Sequence, residues 1–246
     1  MNLIYKLITS FDPAHPNFRP TEIYNEGWLL KLVLHQAANL RDTTHALSFL
    51  PRSDWYSEAL LPTAFKARYR GDSIAEKRTH ADGVIGHIIV GRRGKADLEL
   101  TSDAAQLTVV EAKIGAPLAR GTKNAPYFDQ AARNVACMAE VLTRAKIAPA
   151  SLKRLNFIVL APQQAIEHGT FLAAMDLEGI HAKVQRRVAA YEGQLDHWFT
   201  DHFEPMLAHL RLHTLSWESS ITWIGDHKPH TADELTAYLQ SCLDFN

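Results

Sequence analysis

Asp97-Leu98-Glu99-Leu100, a turn at Ser102-Asp103-Ala104, and then Gln106-Leu107-Thr108-Val109-Val110-Glu111-Ala112-Lys113 form the stretch that decides how this chain is read. Side chains alternate across a strand, so Leu107, Val109, Glu111 and Lys113 share one face. That face begins apolar and ends in a carboxylate and an ammonium. With Asp97 on the neighbouring strand of a hairpin, its carboxylate meets Glu111 across the ladder. Two carboxylates that converge in this way repel unless a cation lies between them. Hard oxygen ligands select Mg²⁺ or Mn²⁺, with the Ala112 carbonyl as a further ligand and waters completing the shell. A cation held there offsets charge on a phosphate and activates water, and Lys113 is placed to orient that nucleophile.

Working outward, residues 83–90, 96–100 and 106–112 read as three strands. They are joined by Gly91-Arg92-Arg93-Gly94 and the 102–104 turn, and the short connections favour an antiparallel meander. Residues 21–39 read as a helix capped by Thr21, with Ile23, Leu30, Val33, Leu34 and Ala37 at helical spacing. Residues 55–69 read as a second helical segment, interrupted near Pro62. Residues 126–145 read as a helix with Pro126 in its first turn and Ala131, Val135, Met138, Val141 and Leu142 on its apolar face. Leu155 to Ala161 reads as a buried strand. The remainder reads as helices near 169–178, 182–209 and 231–243, with one more strand at 210–217. The expectation is an α/β single domain over 1–246. It comprises a core of helix, three-strand meander, helix and strand at about 21–161, a helical insertion at 40–82, and a mostly helical elaboration at 162–246.

This pattern resembles the PD-(D/E)xK nuclease superfamily, the restriction-endonuclease-like fold. Its mark is an acid on one strand and, after a hairpin, Glu-x-Lys at the end of the next. Here that is Asp97, a gap of thirteen residues, and Glu111-Ala112-Lys113. The leading proline of the family pattern is absent, since Lys95-Ala96 precedes Asp97, and members often lack it. The resemblance implies Mg²⁺- or Mn²⁺-dependent hydrolysis of DNA phosphodiester bonds, with Asp97 and Glu111 as metal ligands. It also implies a Glu on the first helix completing the metal shell, for which Glu26 is preferred over Glu22. A Gln on the helix after Glu-x-Lys is matched by Gln130, with Arg133 and Asn134 beside it as phosphate or base contacts. Arg92, Arg93 and Lys95 are placed to grip a phosphodiester backbone. Many relatives act as homodimers, though nothing in the sequence identifies an interface.

Composition agrees with a soluble protein, 46% hydrophobic and 22% charged. No apolar run reaches the roughly 18–20 residues of a bilayer span, and no leader-like cleavage site precedes Asp12-Pro13. The two cysteines, Cys137 and Cys242, read as reduced thiols of a cytoplasmic protein. The net charge of −1 conceals an asymmetry. Residues 63–123 hold 11 Lys/Arg against 7 Asp/Glu, and residues 160–246 hold 5 against 12. An anionic partner therefore docks on the middle of the chain.

Other signals point elsewhere. Glu99 shares the face of Asp97 and replaces it if the register shifts by two. Glu58 and Glu76 read as surface charges. The pairs Asp196-His197 and Asp201-His202 lack the spacing of helical zinc ligands, and Gly91-Arg92-Arg93-Gly94-Lys95-Ala96 lacks the phosphate-loop pattern. Trp198, Trp217 and Trp223 read as core, and no G-x-S-x-G elbow occurs. The rival readings are a nucleic-acid-binding subunit of the same fold without turnover, and a structural α/β domain in which Glu111 and Lys113 form a surface ion pair.

Overall fold

The computed structural model describes residues 19–76, 78–91 and 97–246. Helix α1 (Glu26–Ala37) precedes β1 (Asp54–Leu61), β2 (Thr79–Gly86), β3 (Ile88–Val90), β4 (Leu98–Leu100) and β5 (Gln106–Ala112). Then follow α2 (Gln130–Ala145), β6 (Arg154–Ala161), α3 (Leu177–Ala189), β7 (Arg211–Ser216), α4 (Trp217–Gly225) and α5 (Pro229–Phe245). Five strands form one mixed sheet in the order β1-β2-β5-β6-β7, and β3 pairs with β4 separately. The β1-β2-β5 half is antiparallel, whereas β5, β6 and β7 run parallel.

Parallel strands need crossovers, and these place helices on the sheet. On one face Leu107, Val109, Phe157 and Val159 pack with Val135, Met138 and Leu142 of α2 and Val184 of α3. On the other, Val110, Ala112, Ile158 and Leu160 pack with Leu30, Val33 and Leu34 of α1 and with Trp217 and Leu235 of α4 and α5. Covered on both sides, β5 is buried along its whole length, its polar Gln106, Thr108 and Glu111 included. Asn25 caps α1 by accepting the Trp28 amide, and Asp129 caps α2 by accepting the Ala132 amide. Both cysteines are buried and unpaired. Among the described residues, no helix is long and apolar enough to cross a membrane.

Several expectations need correction. Residues 54–61 form a strand where a helix is predicted, because Trp55 and Tyr56 suit a half-buried ladder and β1 pairs with β2 along its length. The 40–82 segment is therefore no helical insertion, since it supplies β1 and the first half of β2. The predicted 83–90 strand begins at Thr79 and breaks at His87, so the three-strand meander does not form. At Gly86 a Cβ would lie 2.3 Å from the Gln106 carbonyl oxygen, and beyond it the chain leaves the sheet. His87 bends the chain away from the ladder and stays buried, its Nε2 donating to the Pro51 carbonyl at 3.0 Å. The following β3–β4 hairpin folds back toward β1, and β5 re-enters the sheet directly beside β2. Helix α2 starts at Gln130 rather than near Pro126, because Asp129 provides the cap. The expected strand at 210–217 is present as β7.

Gly86→Ala should lower stability by about 1–3 kcal/mol or more, since the added methyl meets main chain that cannot rotate away. Urea denaturation monitored by tryptophan fluorescence gives the midpoint shift, and an unchanged midpoint would contradict the close approach of β2 to β5.

Candidate functional site

The antiparallel pairing of β2 with β5 ends at Gly83–Val110, while β5 stays paired with β6 through Ala112–Leu160. The two strands part at this point, and the Ala112 amide loses its ladder partner on the β2 side. The Asp82 side chain replaces it: Oδ2 accepts the Ala112 N–H at 2.9 Å. Across the same gap stands Glu111, fully buried and facing α2. The Asp82 carboxylate is thereby brought beside Glu111, close enough for its charge to raise the Glu111 carboxyl.

Glu111 is held from three further directions. Lys113 Nζ donates to its Oε1 at 2.7 Å, Gln130 Nε2 donates to the same oxygen, and Asn134 Nδ2 donates to Oε2 at 3.0 Å. Gln130 and Asn134 lie one turn apart on α2, so both amides point at one carboxylate. The Gln130 side-chain amide is oriented from behind, because its Oε1 accepts the Ala119 N–H at 3.0 Å while the Gln130 backbone N–H donates to the Ala119 carbonyl at 2.9 Å. Lys113 is fixed at its backbone. Its N–H donates to Leu160, and its carbonyl accepts the Trp217 indole N–H at 2.8 Å. Asn134 keeps one buried atom, Oδ1, without a partner.

Burial pushes the Glu111 carboxyl up to about 8, and the neighbouring Asp82 charge pushes in the same direction against the opposing pull of Lys113. Two carboxyl groups in a dry site hold either a shared proton or a cation. Among the described residues no set of three or more His, Cys, Asp or Glu side chains gathers at one point. Asp82 and Glu111 are the two carboxylates here that could hold a cation, with waters and backbone oxygen completing its shell. That set suits Mg²⁺ or Mn²⁺, which keep several waters and bind through one or two carboxylates.

Asp97 does not meet Glu111. It bridges to Leu60 of β1 and lines a cavity of about 800 Å³ with Glu76, Glu99, Lys66 and Arg144. Its strand pairs with β3, whereas β5 is flanked by β2 and β6. Glu26 begins α1, on the sheet face opposite Glu111. It sits beside Cys242, whose thiol is pushed up to about 12 by burial and then by the Glu26 charge, and it makes no hydrogen bond or ion pair with Asp82 or Glu111. Arg133 is partly buried, with its charge directed at Glu76 and Cys137. Glu76 is likewise no simple surface charge, since burial raises its carboxyl. Arg92, Arg93 and Lys95 lie outside the described residues. Sequence reading missed Asp82, which stands one residue before the point where the strand was placed. Its alternation is broken there, so period-two reading stops short of it.

With no cation bound, Glu111 is protonated when folded and ionised when unfolded over the window between its ordinary value and about 8. The contribution of Glu111 to stability is therefore fully present below about pH 4.5 and is lost as pH rises toward about 8. Thermal unfolding in EDTA across pH 4–8 should show this fall, and Glu111→Gln should flatten it. A wild-type stability that rises across the window would contradict the buried pair.

The chain matches no family model, no curated protein and no solved structure.

Proposed function

We propose that this chain is a metal-dependent nuclease of the PD-(D/E)xK type in which Asp82, rather than Asp97, is the partner of Glu111-Ala112-Lys113. The observation that carries the reading is the convergence of Asp82 and Glu111 at the point where β2 and β5 part, with the Lys113 ammonium on the same carboxylate. The order α1, β1, β2, β5, α2, β6 supports it, since it is the helix, three strands, helix and strand of the restriction-endonuclease-like core. In that frame the β3–β4 hairpin is an excursion between the second and third core strands.

In this reading Asp82, Glu111 and the Ala112 carbonyl hold one Mg²⁺ or Mn²⁺. The cation supplies positive charge and Lewis acidity to a phosphodiester. Lys113, released from Glu111, orients the attacking water and faces the charge that develops on the phosphate. Gln130 loses one acceptor at the same time and turns its amide to a water or to the substrate, while Asn134 keeps Glu111 in one rotamer. Arg120 and Lys123 are exposed on the segment between Lys113 and α2, next to the Ala119 clamp, and provide phosphate contacts. DNA as the substrate follows from the resemblance alone.

The test is cleavage of plasmid and linear DNA by the full chain with Mg²⁺ or Mn²⁺, against an EDTA control. Asp82→Ala, Glu111→Ala and Lys113→Ala should each lower the rate by about 10²-fold or more, whereas Asp97→Ala should leave it near wild type. Loss in Asp97→Ala with retention in Asp82→Ala would reverse the assignment. Tight DNA binding without cleavage by the wild type would favour a binding subunit instead.

A further inference from the structure

The β1–β2 ladder has one irregular step. Pairs run from Asp54–Gly86 to Ser57–Gly83 and resume at Ala59–Ala81, so Glu58 and Asp82 oppose each other at the step between. Glu58 has φ +58°, in the left-handed region that a branched or long side chain rarely occupies. At that step both strands exchange faces. Trp55 and Ile85 pack with the α1-side core, and a Cβ on Gly83 would touch Leu30 and Leu34 of α1 at 3.0 Å. Past the step, Ala59, Leu61 and Ala81 pack with the α2-side core. Strict alternation would put Trp55, Ala59, Gly83 and Ala81 all on one side. The carbonyl of Glu58, rotated out of the regular ladder, accepts from His80 Nδ1 at 3.2 Å.

We infer that Glu58 is a positioning residue: its left-handed backbone turns β1 and β2 over together, parts β2 from β5, and presents the Asp82 carboxylate to Ala112 and Glu111. The role belongs to its backbone, and its own side chain is exposed. With a regular residue at this step, β2 continues its ladder with β5. Ala81 then takes the place opposite Ala112, and Asp82 no longer caps that amide. The consequence for metal binding rests on the proposed nuclease reading, whereas the consequence for the Ala112 amide does not.

Three variants separate backbone from side chain. Glu58→Gly and Glu58→Asn keep the left-handed conformation accessible and remove the carboxylate, whereas Glu58→Val disfavours it. Hydrogen exchange of the Ala112 amide reads the cap directly, and Mn²⁺ titration of the full chain reads the carboxylate pair. Asp82→Ala serves as the uncapped reference, and Leu239→Ala, in the α5 packing far from the step, controls for general destabilisation. Glu58→Gly and Glu58→Asn should keep wild-type protection and Mn²⁺ affinity. Glu58→Val should expose the Ala112 amide as Asp82→Ala does and weaken Mn²⁺ by about tenfold or more, with Leu239→Ala doing neither. Full protection and unchanged affinity in Glu58→Val would overturn the inference, as would loss of affinity in Glu58→Gly. A wild type that binds no Mn²⁺, but whose Ala112 protection still follows the residue at 58, would refute the nuclease reading and leave the positioning role standing.

Discussion

The arrangement depends on a parting of two strands. Beyond Gly83–Val110, β2 gives up its hydrogen bonds to β5, and a central strand is left with a main-chain N–H that has no ladder partner. Such a group is costly to bury unsatisfied, on the order of 1–3 kcal/mol. The Asp82 carboxylate satisfies it, and the same event brings an acid into a gap whose other wall carries Glu111. A sheet that stayed regular would have no opening there and no meeting of carboxyl groups.

Putting a second acid in that gap is expensive on its own, because the effective cost of desolvating one charge is several kcal/mol. The surrounding donors offset it. When Glu111 ionises, Lys113 supplies a counter-charge and two amides one helical turn apart on α2 supply hydrogen bonds, those to a charged group being worth roughly 1.5–3 kcal/mol each. The compensation is incomplete, since the Glu111 carboxyl still sits well above its ordinary value. Burial is the main cause and the Asp82 charge the second, and a divalent cation would offset both.

Much of this was legible in the chain. The alternation of Leu107, Val109, Glu111 and Lys113 correctly put the acid and the amine on one face of a buried strand, and the amphipathic repeat after Pro126 correctly produced a helix over it. The family resemblance pointed to Gln130, and Asn134, expected as a phosphate or base contact, instead holds Glu111. Asp97 was chosen because a short connection usually joins paired strands. Here Gly86 lies against the Gln106 carbonyl and His87 bonds to Pro51, so the chain leaves the sheet between β2 and β5. Asp82 was passed over because a left-handed residue at Glu58 breaks the two-residue period on which strand reading relies. The same break hid β1, whose apolar positions on either side of Glu58 face different cores.

Periodicity and residue chemistry depend on a few neighbouring positions, so the α/β class, the Glu111-x-Lys113 strand end and the helix after it could be read from the chain alone. Which acid stands beside Glu111 is a question of strand order and of where a ladder breaks. Those are settled by contacts between residues far apart in the chain: Gly83 against Leu30 and Leu34, Asp82 against Ala112, and Asp97 against Leu60. The folded chain alone fixes them, because the energy of a strand pairing lies in its partner and no local pattern encodes the partner.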